Sequence, residues 1–459
     1  MAHFDLIVVG GGSGGVACGR RAASYGAKVA LCEDNRVGGT CVIRGCIPKK
    51  LMRYGAHFAD HFRAARGYGW QLGEPKLDWP ALIGARNKEI QRLNGIYLDM
   101  LAKAGVEVIP ARATLTGTNE IEADGQRHTA ERILVAVGAR PSLPELPGIE
   151  HALTSDHALE HLEEIPERLA VIGAGYIGIE LASILNGLGV DTTLILRRDL
   201  PLRGFDQDLR EVLVEEFRAH GLKILAETTV STIERDGAGV VLSTSAGRQS
   251  FDAVLYATGR HPIANTGGLG LEELGVRTDQ SGAIRVDQSY QSSVPTIYAV
   301  GDCSDHGGNG IDSGGFDLTP VAIAEGRAIA ERLYNANVQI VNYDTIPTAV
   351  FGLPEAASVG LTEDRARDAG HDVAIYRTRF RPLLHTLTGE PTKTMMKLVV
   401  DRQSDRVLGC HMVGDDAAEV IQGLAVALTA GATKTHFDDT VGLHPTAAEE
   451  FVTMYQETV

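Results

Sequence analysis

The chain has 459 residues, 44% hydrophobic and 22% charged, with a formal net charge of −16. That balance fits a globular protein of several domains and argues against a disordered chain or a general nucleic-acid binder. Six cysteines are too few for a disulfide scaffold of this length, no apolar run reaches bilayer-spanning length, and a strand pattern begins at Phe4 without signal-peptide architecture, so a cytoplasmic chain with reduced thiols is expected.

Asp5-Leu6-Ile7-Val8-Val9 predicts a buried strand running into Gly10-Gly11-Gly12-Ser13-Gly14-Gly15 and then a helix through Ala23. In such a Gly-x-Gly-x-x-Gly turn, Gly10 serves the tight bend, Gly12 lets the backbone approach a pyrophosphate, and Gly15 lets helix pack on strand. The helix start offers N–H groups to the phosphates. The next strand, residues 28–32, ends at Glu33, a carboxylate placed to accept from a ribose 2′-hydroxyl. Strand, turn, helix and acid together predict a dinucleotide site.

The run Gly38-Gly39-Thr40-Cys41-Val42-Ile43-Arg44-Gly45-Cys46-Ile47-Pro48-Lys49 follows. Residues five apart in an ideal helix have Cα atoms about 8.7 Å apart, whereas a disulfide needs less than about 7 Å. A bridge here requires local distortion, of the kind Gly45 and Pro48 permit or force. A strained bridge is the easily reduced kind, and a dithiol at this place can exchange electrons with a flavin. Taken alone, the pair equally reads as two separate buried thiols or half of a metal site.

The fingerprint recurs at Leu169-Ala170-Val171-Ile172-Gly173-Ala174-Gly175-Tyr176-Ile177-Gly178. Its second strand, residues 191–196, ends not in an acid but in Arg197-Arg198, with Arg203 beyond. Guanidinium groups at that place favour a 2′-phosphate, hence NADP over NAD; a solvated basic turn is the alternative. Opposite ribose preferences read as FAD at the first site and NADPH at the second. Apolar strands ending at Gly138, at Thr258-Gly259 and at Gly301-Asp302 suit crossings between domains, with Asp302 able to bond a ribityl or ribose hydroxyl and Thr319-Pro320 opening the next helix. The Gly-rich stretch 303–317 predicts a mobile surface loop, and His306, Asp305 and Asp312 within it match no metal-ligand spacing.

In this order, over essentially the whole chain, the motifs resemble the flavin-dependent pyridine nucleotide–disulfide oxidoreductases, and among them the glutathione reductases. The resemblance implies an α/β chain with two Rossmann-like dinucleotide-binding domains, for FAD and NADPH, plus a C-terminal α+β dimerisation domain. The implied limits are 1–148 for the first part of the FAD domain, 149–265 for the NADPH domain, 266–340 for the return to the FAD domain, and 341–459 for the interface domain. A homodimer is implied, each active site completed by the partner. So is a redox-active Cys41–Cys46 disulfide, with Cys46 as the thiolate against the flavin and Cys41 as the exposed interchange thiol. Lys49 and Glu180 are implied to pair near the flavin N5, and Tyr176 to cover the ring until nicotinamide displaces it. The segment from Leu443 to Glu450 matches the family's proton-handling motif: His444 exchanges a proton with Cys41 and Glu449 orients the imidazole. Thr446-x-x-Glu449 also reads as a capping box. FAD contacts are expected from Gly10, Gly12, Ser13, Gly14, Gly15, Glu33, Thr40, Gly138, Asp302 and Thr319. For NADPH they are expected from Gly173, Gly175, Tyr176, Gly178, Arg197, Arg198, Arg203 and Gly259.

Among sister activities, the arginines disfavour the NAD-linked lipoamide dehydrogenases. The last cysteine, Cys410, and the closing residues 455–459 lack the extra redox groups of mercuric reductase and high-molecular-weight thioredoxin reductase. Ala17 and Arg20 replace the acid and bulky aromatic of trypanothione reductase and suit an anionic peptide. Arg20 and Arg327 can pair with the carboxylates of glutathione disulfide, although as helix-surface charges they would count for little; Ser13 and Tyr97 match glutathione-contacting positions. The expected function is NADPH-dependent reduction of glutathione disulfide to two glutathiones. Another low-molecular-weight disulfide on the same frame, or a non-catalytic flavoprotein module, is the alternative. No metal, nucleic acid or membrane partner is expected.

Overall fold

The computed structural model describes residues 2–258, 263–306 and 317–458. Strands β1 (His3–Val9), β2 (Val29–Cys32) and β3 (Glu107–Ile109) run parallel in the order β3-β2-β1. Next come β4 (Ala113–Gly117), β5 (Glu120–Ala123) and β6 (Gln126–Val135), which pair antiparallel in that order while β6 also lies parallel to β1. The last residues of β6, Ile133–Val135, pair in parallel with Ile297–Ala299, a strand from much later in the chain. Ile7 and Val9 enter one apolar cluster, Leu6 and Val8 another. Covered on both faces, β1 reads as a continuous apolar run rather than an alternating one. Helices α1 (Ser13–Ser24), α2 (Gly39–Arg44), α3 (Cys46–Gly67) and α4 (Trp79–Lys103) complete this half.

The chain leaves and re-enters through two short strands, Ala139–Arg140 and Ile263–Ala264, which pair with each other. Between them, four parallel strands stand in the order Lys223–Leu225, Asp191–Ile195, Arg168–Ile172, Ala253–Tyr256. Helices α5 (Tyr176–Gly187) and α6 (Gln207–Ala219) and an antiparallel three-stranded meander over residues 230–251 belong to the same unit. The return brings α7 (Thr319–Tyr334) across α1. A methyl group on Gly326 would lie 2.4 Å from the Gly14 carbonyl oxygen, so the two backbones meet directly.

The C-terminal part is a five-stranded antiparallel sheet in the order Thr348–Val350, Ala356–Gly360, Val407–Val413, Thr394–Asp401, Val373–Phe380, with α8 (Glu363–Asp368) and α9 (Ala417–Thr429). One apolar cluster joins this sheet (Val350, Leu353, Met395) to α3 (Met52, Ala56) and α5 (Ile179, Leu185). A buried cation adds a second tie. Lys397 Nζ lies 3.0 Å from Asp206 and 2.6 Å from Asp208, at the start of α6, and 2.9 Å from Glu363 of α8. The expected α/β class, with two dinucleotide folds and an antiparallel C-terminal sheet, is the one adopted. No helix among the described residues is long and apolar enough to cross a membrane, and no group of three metal-ligating side chains occurs among them. Most of the 303–317 loop, Asp312 included, lies outside the described residues.

Candidate active site

The first fingerprint forms a cradle for phosphate. Gly10 has φ +109°, and a Cβ there would sit 2.4 Å from the Ala136 carbonyl oxygen; one on Gly15 would sit 2.1 Å from the oxygen of Gly10. Gly12 is the N-cap of α1 and supplies no side-chain cap, so the amides of the first turn, opened by Ser13 and Gly14, keep their donors for a ligand. Glu33 closes the cradle, accepting from Gly11 N at 2.7 Å and from Asn35 N at 2.9 Å. Burial pushes its carboxyl above the ordinary range, and those two amides partly offset the rise. Gly138 follows β6, its carbonyl held by Asn265 N at 3.0 Å. Asp302 sits in a single 3₁₀ turn beside Gly301, whose amide bonds Glu325 at 3.0 Å. These features fit the pyrophosphate and ribose of FAD.

The second fingerprint repeats the design. Gly173 and Gly175 connect a strand to α5, Gly175 is again an N-cap without a side-chain cap, and a Cβ on Gly178 would lie 2.8 Å from the oxygen of Gly173. Tyr176 opens α5, half-buried against the shared apolar cluster. Arg197, Arg198 and Arg203 are exposed just beyond the strand, and none is paired with a carboxylate among the described residues. This fits a nucleotide with an added phosphate. Gly259 lies outside the described residues.

Between the two units stands the dithiol. Gly45, at φ −138° and ψ −113°, breaks the helix into α2, which holds Thr40 and Cys41, and α3, which Cys46 opens. That break lets the two thiols hydrogen bond to each other. Cys46 is lowered to about 6, first by the hydrogen bond from Cys41, then, against the cost of burial, by the Lys49 charge and by Thr319. Cys41 moves upward, chiefly through its bond to Cys46 and through burial. Cys46, favoured by the Lys49 charge and by Thr319, is the more readily ionised of the two sulfurs. Thr319 Oγ1, at the start of α7, lies 3.7 Å from Cys46 Sγ. Within the single chain Cys41 is half-buried and Cys46 exposed as whole residues. Cys41, in the middle of a short helix, acts electrostatically on the half-buried Tyr97 of α4, whose hydroxyl is raised first by burial and then by Cys41.

Lys49 Nζ lies 2.8 Å from Glu180 Oε1, and both side chains are nearly enclosed. Arg20 acts on the same Tyr97 as Cys41 does, so α1, α4 and the dithiol share one neighbourhood. Arg327 is exposed on α7 beside the Gly326 crossing; among the described residues no hydrogen bond joins it to Arg20, or either arginine to Ser13. His444 stands apart. Its Nδ1 lies 3.0 and 3.1 Å from the two oxygens of Glu449, its side chain is 81% exposed, and among the described residues nothing links it to either thiol. Thr446 caps the Glu449 amide at 3.3 Å, while the Glu449 carboxylate is turned to His444, so only half of a capping box forms.

Sequence reasoning missed two groups. Phe351 places both its amide and its ring on the Lys49–Glu180 pair. Glu325 collects Gly301 N, Tyr343 Oη and His306 behind the Asp302 turn. An aromatic closing an apolar strand and an acid within a helix carry no local signal of such roles.

A polarised dithiol set between two dinucleotide cradles defines a disulfide oxidoreductase working with bound nucleotides. Residues 4–326 match the family described as pyridine nucleotide-disulphide oxidoreductase, and residues 346–455 match that family's dimerisation domain. The chain belongs to this family. It is 50% identical over 466 aligned positions to a glutathione reductase of Nostoc sp., covering 98% of this chain and 99% of that one. It is 46% identical to a glutathione reductase of Burkholderia cepacia, with 98% of each covered. It is 43% identical to a chloroplastic/mitochondrial glutathione reductase of Pisum sativum, with 99% of this chain and 83% of that one covered.

Proposed function

We propose that this chain is an FAD-containing glutathione-disulfide reductase, specific for NADPH and active as a homodimer in the cytoplasm, where thiols are kept reduced. The observation that carries the reading is the Cys41–Cys46 pair brought together at the Gly45 break, with Thr319 beside Cys46, in a chain aligned end to end with glutathione reductases. FAD, when bound, supplies the two-electron exchange between NADPH and this pair.

The residues of the chain do the rest. The α1 cradle with Glu33, Thr40, Gly138, Asp302 and Thr319 holds the flavin nucleotide. The start of α5 with Arg197, Arg198 and Arg203 holds NADPH, Gly259 belongs to that set, and Tyr176 guards the nicotinamide position. Lys49, oriented by Glu180, puts positive charge beside the flavin and the Cys46 sulfur. Two electrons and one proton open the Cys41–Cys46 bond, leaving Cys46 as thiolate and Cys41 as thiol. Cys41 gives its proton to His444 of the partner subunit and attacks one sulfur of the substrate. The substrate S–S bond breaks, a mixed disulfide forms on Cys41, and the departing glutathione thiolate takes the proton back. Cys46 then attacks the Cys41 sulfur, which releases the second glutathione as a thiolate, protonated from solvent, and restores the starting disulfide. Arg20 and Arg327 pair with substrate carboxylates, with Ser13 and Tyr97 beside them. The domain limits expected from the sequence belong to this reading.

The test is NADPH oxidation by the purified yellow protein on addition of glutathione disulfide, with NADH, lipoamide and trypanothione disulfide in parallel. Selective turnover with NADPH and glutathione disulfide is expected. Flavin reduced by NADPH but not reoxidised by glutathione disulfide would remove the substrate and keep the cofactors.

A further inference from the structure

The Lys49–Glu180 pair is not closed by its own two side chains. Glu180, 2% exposed on α5, uses the same Oε1 twice: it accepts from Lys49 Nζ and, also at 2.8 Å, from the backbone amide of Phe351. Phe351 follows the first strand of the C-terminal sheet, and its ring returns over the same lysine, 4.6 Å from Nζ to the centroid. The segment beyond it is fastened to α3. Arg53 Nε donates to the Gly352 oxygen at 3.1 Å, and Glu355 lies 3.2 Å from Arg53 and 3.3 Å from Lys50. Arg53 and Glu355 are both buried, so the segment cannot slide along the helix without breaking a buried ion pair.

We propose that Phe351 is a positioning residue for the reaction: its amide fixes the Glu180 carboxylate and its ring face fixes the direction of the Lys49 ammonium. The inference rests on the reading that Lys49 stands beside the flavin. A lysine has a long flexible stem and a compact charge, and one carboxylate oxygen sets its distance but not its direction. The negative face of an aromatic ring supplies the missing constraint. The C-terminal domain thereby reaches a group belonging to the nucleotide-binding half and sets where its charge falls. Lys50 Nζ, which donates to Glu355 at 3.3 Å, also lies over this ring, 4.0 Å from the centroid.

The readout is the pH dependence of the long-wavelength absorption of the Cys46 thiolate against FAD in the reduced holoenzyme, because the Lys49 charge helps keep that thiolate ionised. Phe351→Leu keeps the amide and removes the ring face. Its absorption midpoint is expected to move up toward the ordinary thiol range, with flavin reduction by NADPH slowed roughly tenfold, as for a small misplacement of a positioned group. Phenylalanines of increasing fluorine content at position 351 keep the packing and weaken the ring face, and serve if Phe351→Leu loses FAD. A midpoint that climbs with each fluorine supports the proposal; a flat series, or an unchanged Phe351→Leu holoenzyme, overturns it. Lys49→Met is the control. If it leaves the midpoint unmoved, the Lys49 assignment itself falls; if it moves the midpoint while the Phe351 series does not, only the present inference falls.

Discussion

Cys46 and Cys41 differ by environment rather than by kind, and the difference sets a pH dependence. A thiolate with a lowered pKa persists above that value and is lost as pH falls through it. In the reduced enzyme the long-wavelength thiolate absorption is therefore expected to disappear on acidification, with a midpoint below the ordinary thiol range. Lys49→Met removes one of the stabilising charges and is expected to raise that midpoint, as read in a spectrophotometric titration. Cys46→Ser is expected to abolish both the absorption and turnover; absorption surviving in that variant would reverse the roles of the two sulfurs. At the second nucleotide site, Arg197 and Arg198 are exposed and paired with no described carboxylate. Charged hydrogen bonds are worth roughly 1.5–3 kcal/mol. Replacing either arginine by alanine is therefore expected to raise KM for NADPH about ten- to hundredfold, with KM for NADH hardly changed; equal loss with both nucleotides would argue against a 2′-phosphate pocket.

At the scale of elements, the structure depends on close backbone approaches more than on long contacts. The α1–α7 crossing exists because Gly326 faces Gly14; a methyl there meets the Gly14 oxygen at 2.4 Å and Cys18 N at 3.3 Å. Gly326→Ala is expected to push α7 off α1 and cost about 1–3 kcal/mol by overpacking, visible as a lowered Tm and weakened FAD retention. The elements that carry the chemistry were legible because their signals are local. A strand, a Gly-rich turn and an acid at the next strand end lie within one short segment, and Gly45 foretold the break that joins two thiols otherwise too far apart. Gly326 was not legible, since nothing near it in sequence says which backbone it must meet. Phe351 was equally silent, because its amide and ring act on residues brought up by other elements.

The molecule as a whole is held by ties that cross its parts. Lys397 lies 2% exposed in the C-terminal sheet, yet two of its carboxylates come from the start of α6. Removing one partner of a buried ionic cluster costs about 3–5 kcal/mol, and Lys397→Met is expected to lose that much in denaturant unfolding. For Asp206, burial works upward, but the opposing pull of His411 and Lys397 leaves its carboxyl below the ordinary range; Glu363 is likewise held low, against burial, by Lys397 and Arg367. Their contribution to stability is present above the unfolded carboxylate pKa and is lost as pH falls through the lower folded values. Without Lys397 those values rise, so acid unfolding of Lys397→Met should begin at higher pH. The dimer has its own test. His444 touches neither thiol of its own chain, so co-expressed Cys46→Ser and His444→Ala chains should form mixed dimers with one intact site, active where each parent is not; inactive mixed dimers would confine the site to one chain.

The pairing of β6 with Ile297–Ala299 bears on how the protein is made. Cys303 Sγ donates to the Val135 oxygen across 168 positions of chain, and Arg21 bonds Glu331 across 310. On the ribosome, the outer edge of Ile133–Val135 stays unpaired while the whole intervening unit is synthesised, on the order of ten seconds or more at ordinary elongation rates. An open edge of apolar strand is a template for the wrong partner. The inserted unit thus acts as a timer on the nascent flavin half, its length setting how long that edge stays available to other chains.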